Sequence, residues 1–317
     1  MKKKIRIILP IFNEGETVQN FYNELKQAIL KISNYHIKIL FVLDKSSDDT
    51  EDKLKKIINN DEDCDALIMS ARFGHQECLY AGIEYSQDFD AVITMDADFQ
   101  HPIESIKDIL NAYEKNFNIV NMLRYNNNKS GFVKRLGTSL FYNLAKIFDL
   151  KNLKKNSAEF RLLDQKVIKS LMKHQEKDIF LRGVVSNLGY KQEYLNYDYK
   201  ERKFGSTKYS SSSLIYLAIN ALTSFSSKPL FFVFFFGLVF FLISIILIIS
   251  YIIDYYFIHI NILPPGYTTI VLLILLFGSM QIFFIGIIGI YLSKIFKEIK
   301  NRPRYLVEKF IKGNDKK

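Results

Sequence analysis

Residues 229–253 run for 25 positions without a formal charge, dominated by Phe, Ile, Leu and Val, and a second apolar stretch covers 267–293. A buried core helix seldom reaches such lengths, whereas about 20 apolar residues in a helix cross the roughly 30 Å hydrocarbon layer of a bilayer. The pair therefore predicts a two-helix transmembrane domain over 229–293. Its orientation follows from the flanks. The loop 254–266 has no Lys or Arg, while 294–317 holds nine basic residues against three acidic, a net of +6. An excess of basic residues on one side places both ends of the pair in the cytoplasm. This expected basic cytoplasmic tail carries more than half of the formal charge of +10. The charge balance thus reads as attraction to anionic lipid, not as a nucleic-acid surface.

Residues 1–210 are a different kind of sequence. Short apolar runs recur at 5–9, 37–43, 66–69 and 91–95, and between them 17–31, 48–58 and 76–85 are polar on one side and apolar on the other. Strands alternating with helices of that length predict βαβ units, hence an α/β domain with a mostly parallel sheet. The start, Met1-Lys2-Lys3-Lys4, is basic, but the apolar run after it is too short for a signal peptide and is broken by Arg6 and Pro10. Cys64 and Cys78 are too few for a metal cluster and read as packing residues. Beyond Asn111 the pattern loosens. Residues 126–131 read as a loop, 132–148 as an amphipathic segment, and 211–228 as an amphipathic helix lying on the membrane surface ahead of the first span.

In open parallel sheets ligands bind outside the carboxyl ends of the strands. The polar clusters fall at those ends: Pro10-Ile11-Phe12-Asn13-Glu14, Asp44-Lys45-Ser46-Ser47-Asp48, Arg72-Phe73-Gly74-His75-Gln76 and Asp96-Ala97-Asp98-Phe99-Gln100. Any one of them could be a turn or helix cap; four after four successive strands read as the rim of one site. Two carboxylates with one residue between them can turn their oxygens toward one point, and hard cations such as Mg²⁺ or Mn²⁺ prefer oxygen ligands.

These motifs, with Phe160-Arg161-Leu162-Leu163-Asp164, Phe180-Leu181-Arg182-Gly183 and Arg202-Lys203-Phe204-Gly205-Ser206-Thr207-Lys208-Tyr209 further on, resemble those of the family 2 glycosyltransferases. The likeness is to polyisoprenyl-phosphate glycosyltransferases, which include bactoprenol glucosyltransferases and dolichol-phosphate mannose synthases. It implies a GT-A, Rossmann-like fold and a membrane-anchored enzyme. That enzyme would move a sugar from a nucleotide sugar, UDP-glucose or a related UDP-hexose, to undecaprenyl phosphate or another polyprenyl phosphate. Carried over residue by residue, Pro10, Asn13, Glu14, Asp44, Arg72, Asp96 and Ala97 would line the nucleotide-sugar pocket. Asp98 and Gln100, supported by Asp96, would bind Mg²⁺ or Mn²⁺. Arg124, Lys134, Arg135, Arg202 and Lys208 would receive the acceptor phosphate. Asp96, Asp98, Glu159, Arg124 and Arg202 would be the catalytic set, with Glu159 either acting as a base or orienting basic residues or a water.

Two positions depart from the family pattern. Leu43-Asp44-Lys45-Ser46 stands where Asp-Asp-Gly-Ser or Asn-Asp-Gly-Ser is usual, and Glu159 where an Asp often precedes Phe-Arg-Leu. The resemblance places the protein in the inner membrane as a multi-pass protein with its catalytic domain in the cytoplasm. Gly278, Ser279, Gly286 and Gly289 can pack helices within one chain or between copies in a homo-oligomer. The alternatives are a membrane-tethered nucleotide-sugar-binding protein without turnover and a synthase using GDP-mannose. A processive polysaccharide synthase would carry a Gln-x-x-Arg-Trp motif, and the chain has no Trp.

Overall fold

The computed structural model describes residues 2–125, 154, 156–198, 228–253 and 266–313. Four parallel strands make the centre of its sheet: β1 (Lys3–Ile11), β2 (Tyr35–Leu43), β3 (Cys64–Met69) and β4 (Ala91–Thr94). They are the apolar runs expected from the sequence, each within two residues of its predicted start and end. Helices cover both faces of such a sheet, so its strands are buried on both sides and nearly continuous in apolar residues. All six residues of β3 are buried, as are the last five of β2.

The crossovers are α1 (Val18–Leu30), α2 (Thr50–Asn60) and α3 (His75–Glu84). In α1, Val18, Phe21, Leu25 and Ile29 are buried, a spacing of three and four that lines one helical face. Gly82 of α3 lies so close to the sheet that an added Cβ would sit 2.4 Å from a methyl of Ile8. The helix and β1 are packed nearly backbone to backbone there.

The chain runs β1, β2, β3 outward and then returns to the other side of β1 for β4. The crevice between β1 and β4 is thus a topological switch point. Beyond β4 the sheet continues through three strands that the sequence pattern left unassigned: β5 (Ile119–Arg124), β6 (Ser157–Asp164) and β7 (Gln192–Tyr197). The full order is β7-β5-β6-β4-β1-β2-β3 followed by β8 (Val307–Ile311). β6 is antiparallel to both β4 and β5, and β5 is parallel to β7. Helices α4 (Ser105–Glu114), α5 (Gln165–Leu171) and α6 (Leu181–Asn187) complete this half.

Within the expected basic tail over 294–317 lies a strand: Val307–Ile311 pairs antiparallel with β3. The edge of β3 presents unpaired N–H and C=O groups that a returning strand can satisfy. Past β8, Gly313 passes against the carbonyls of Asp61, Glu62 and Cys64, which an added Cβ would approach to 2.6–2.8 Å.

The second unit, 222–302, holds α7 (Lys228–Ile253) and α8 (Tyr267–Ile299). Lys228 is the one charged residue among the 26 of α7, and large apolar side chains such as Phe231, Ile246, Ile274 and Ile285 are exposed. Among the described residues taken alone, no helix is long and apolar enough to cross a membrane; several side chains of both helices fall outside that set. The expected interface helix, apart from Lys228, lies outside the described residues, as do 126–131 and 132–148.

Candidate active site

Four loops meet at the carboxyl ends of the parallel strands. The first and second are joined through Asn13, whose backbone N–H donates to Ser46 Oγ at 3.0 Å and whose Oδ1 accepts from the Ser47 N–H at 2.9 Å. Asn13 has φ +50°, a left-handed conformation that Asn tolerates better than most residues. Glu14 receives Thr17 Oγ1–H at 2.9 Å, and its N–H donates to Thr50 Oγ1. Pro10 lies in β1 opposite Val42. Arg72 is exposed and stacks its guanidinium 4.3 Å above the Phe12 ring.

Asp44, expected to line the nucleotide pocket, is buried and commits its carboxylate to the backbone. Oδ1 accepts from Phe73 N–H at 2.8 Å and Oδ2 from Gly74 N–H at 2.9 Å. It therefore shapes the third loop, where Gly74 at φ +95° opens α3. The departures beside it are accounted for. Leu43 is 1% exposed and belongs to the apolar core, and Lys45 forms a 3.0 Å ion pair with Glu308 of β8.

Asp96 follows β4 and sits between two imidazoles. Its Oδ1 is 2.7 Å from His75 Nε2, and its backbone N–H donates to His101 Nδ1 at 2.9 Å. Because Nδ1 of His101 accepts, a neutral ring carries its proton on Nε2, 3.8 Å from Asp96 Oδ2. His101 is 1% exposed, stacked on Phe160 and edge-on to Tyr197. Burial pushes its pKa down to about 4 against the pull of Asp96, so the ring is neutral at pH 7. Burial would raise the Asp96 pKa, but His75, His101 and Arg124 hold it well below the usual carboxylate range. His75 shifts upward: burial opposes its charge, and the contact with Asp96 more than offsets this.

Ala97 is buried in the core. Asp98 is buried, and its Oδ1 accepts from Gln100 N–H at 3.1 Å. Between them Phe99 has φ +63°, a costly conformation for a bulky residue, held by an edge contact with Phe21 at 5.2 Å. The turn that aims the carboxylates is therefore braced from the core. Among the described residues no three His, Cys, Asp or Glu side chains converge on one point. A divalent cation here would draw one or two carboxylates from the protein and the rest of its shell from water and phosphate, which is how Mg²⁺ is commonly held with nucleotides. Asp98, with Asp96 beside it, fits that requirement.

Glu159 of β6 is buried and its two oxygens serve two arginines. Oε2 accepts from Arg161 Nη2 at 2.7 Å; Oε1 accepts from Arg182 Nε at 3.1 Å and Nη2 at 3.0 Å. Burial would raise its pKa, yet the two guanidinium groups and His75 lower it. An ionised carboxylate engaged in this way holds two guanidinium groups in place. Arg124 donates from Nε to Tyr197 OH at 3.1 Å and lies near enough to Asp96 to act on its charge. Lys134, Arg135, Arg202 and Lys208 lie outside the described residues.

The sequence reading assigned no role to His75, His101, Arg161 or Arg182, although His75, Arg161 and Arg182 stand within the motifs it singled out and His101 directly follows one. Their signal was residue type alone: imidazoles and guanidinium groups in or next to those motifs.

The family description "Glycosyl transferase family 2" matches residues 6–172. The SfII prophage-derived bactoprenol glucosyl transferase of Shigella flexneri is 30% identical over 311 residues, covering 98% of this chain and 99% of the relative. The uncharacterized glycosyltransferase YkoT of Bacillus subtilis is 33% identical over 310 residues, covering 96% and 91%. The solved mannosyl-3-phosphoglycerate synthase from Rubrobacter xylanophilus overlaps 70% of this chain and 73% of its own at TM-score 0.48 and 14% identity, too distant to argue from. With more than half of its length matched by the family and relatives this similar along nearly all of it, the chain belongs to glycosyl transferase family 2.

Proposed function

We propose that the protein is a membrane-anchored, inverting glycosyltransferase that moves a hexose from a UDP-sugar to a polyprenyl phosphate, undecaprenyl phosphate in a bacterium. The observation that carries the reading is the position of Asp96 and Asp98 just past β4, beside the β1/β4 switch point, with Arg124 near enough to Asp96 to act on its charge. The near full-length similarity to a bactoprenol glucosyl transferase supports the lipid acceptor. The membrane anchor is supported by the 25 uncharged residues 229–253, the 26-residue α7 and the 33-residue α8. The basic flank over 294–317 supports a catalytic domain on the cytoplasmic face of the inner membrane.

The chemistry asks for alignment more than for proton transfer. A phosphate monoester has a second pKa of about 6 and is ionised at neutral pH, so no strong base is needed to make it a nucleophile. This agrees with a Glu159 occupied by two arginines. The difficulty is bringing two anions together, which basic side chains relieve by fixed positive charge. The nearness of Arg124 to Asp96 supports such a role for it, and Lys134, Arg135, Arg202 and Lys208 would share the task by family resemblance. Bound Mg²⁺ or Mn²⁺, held by Asp98 with Asp96 and Gln100 in support, would supply neutralisation of charge on the departing diphosphate. Direct displacement inverts the anomeric centre, so an α-linked donor yields a β-linked lipid product.

The test is transfer from a panel of radiolabelled nucleotide sugars to undecaprenyl phosphate in detergent with Mg²⁺ or Mn²⁺, with Asp98→Ala in parallel. Metal-dependent lipid product from one donor, lost in the variant, is expected. Nucleotide binding without product from any donor would overturn the reading in favour of a binding protein.

A further inference from the structure

Arg182 stands apart from the residues discussed so far because two independent ties bring it to the site. One is Glu159, whose Oε1 accepts from both Nε and Nη2 of Arg182. The other is Gln76, whose side-chain oxygen accepts from the Leu181 N–H at 3.3 Å. That bond fastens the start of α6 to the start of α3, where the neighbouring residue His75 holds Asp96. Arg182 and Glu159 both lie near enough to His75 to act on its charge.

The two arginines on Glu159 differ in exposure. Arg161 is 3% exposed and donates also to the Ala158 carbonyl, whereas the side chain of Arg182 is 27% exposed. Of the two guanidinium groups on Glu159, the accessible one is thus Arg182. A planar guanidinium fixed along one edge by a carboxylate loses little further freedom when it takes up an oxyanion, which is why such pairs recognise phosphate well.

We propose that Arg182 contacts a phosphate of the reaction's substrates and that Glu159 is the positioning residue that aims it. The inference rests on the reading of the protein as a glycosyltransferase acting on phosphate-bearing substrates. Its ligand chemistry is a phosphate oxygen, of the donor diphosphate or of the lipid acceptor.

The experiment measures equilibrium binding to the full-length chain in detergent, with UDP plus Mn²⁺ as one probe and a short-chain polyprenyl phosphate in mixed micelles as the other. Wild type is compared with Arg182→Ala, Arg182→Lys and Glu159→Gln, each checked for a cooperative melt. Arg182→Ala is expected to weaken at least one probe on the order of 10- to 100-fold, the scale of a hydrogen bond to a charged group, with a smaller loss in Arg182→Lys. Loss confined to UDP assigns Arg182 to the donor diphosphate; loss confined to the lipid assigns it to the acceptor. Glu159→Gln discriminates positioning from simple electrostatics. Removing a negative charge beside an anion site should tighten anion binding, whereas losing the brace on Arg182 weakens it. Wild-type affinity for both probes in the Arg182 variants, or tighter binding in Glu159→Gln, overturns the proposal. Should Arg182→Ala fail to fold, Arg182→Lys and Glu159→Gln decide. Binding needs no turnover, so a protein that binds both probes through Arg182 yet transfers no sugar defeats the functional reading alone.

Discussion

Replacing Glu159 by Leu should unfold the catalytic domain at markedly lower temperature, and replacing Arg161 by Met alongside it should restore most of the loss. Glu159 Oε2 lies 2.7 Å from Arg161 Nη2, and the two side chains are 9% and 3% exposed. Alone, Glu159→Leu leaves the Arg161 guanidinium buried without a counter-charge, a change that costs about 3–5 kcal/mol. Arg182, more exposed, adds little because water can take over its hydrogen bonds. For a domain of this size 1 kcal/mol moves the melting temperature by roughly 2–4 °C, so the single variant should melt roughly 6–20 °C below wild type. In the double variant two apolar side chains of similar volume occupy the site, an exchange that is often neutral or stabilising. The assay is far-UV circular dichroism of the four proteins of the cycle in one detergent at one scan rate. A coupling of about 3 kcal/mol is expected. Glu159→Leu melting within about 2 °C of wild type, or a double variant no better than the single, would show that the pair does not carry the burial assigned to it.

Two further outcomes follow from named contacts. His101→Ala removes the acceptor of the Asp96 N–H and the ring stacked on Phe160. Transfer at saturating metal should fall at least about tenfold, with partial recovery in His101→Asn, which keeps an acceptor near the place of Nδ1; equal activity in the two variants would deny the role of that bond. Asp61 joins α1 to the turn before β3 by accepting from Tyr22 OH at 2.7 Å and Lys26 Nζ at 2.9 Å. Burial would raise its pKa, but those bonds hold it at about 2 against an ordinary value of 3.8. A carboxylate with a depressed folded pKa adds stability above its unfolded value and loses it as pH falls through the folded one. Discounted for partial solvent screening, the contribution is about 1–2 kcal/mol, present above pH 4 and lost toward pH 2. Urea unfolding of wild type and Asp61→Asn should therefore differ at pH 6 and converge near pH 2, and a constant gap would refute the assignment.

The parts legible in the sequence are those governed by local pattern. Four apolar runs separated by amphipathic stretches specify parallel strands and crossover helices, because burial on both faces demands apolar residues throughout and a helix of three- and four-residue spacing to cover them. The same logic places Asp44, Arg72 and Asp96 at strand ends without any knowledge of strand order. Membership of the family was readable for the same reason: the motifs are short and lie in those loops.

Tertiary structure decided what depends on partners distant in the chain. Val307–Ile311, charged enough to read as a tail, is an edge strand because β3 offers it unpaired backbone groups. Lys45, odd for its loop, is answered by Glu308, 263 residues later. That the Asp44 carboxylate receives the Phe73 and Gly74 N–H groups, some thirty residues on, was likewise a matter of tertiary placement. That the Glu159 oxygens lie between Arg161 and Arg182 depends on strand register and helix placement that no local pattern records. Periodicity records which face of an element is buried, since that is set by neighbours one turn or one pleat away. It carries no record of which buried charges meet, since that is set by strand order and register, and it is those meetings that distinguish the residues shaping this site from the residues facing its substrates.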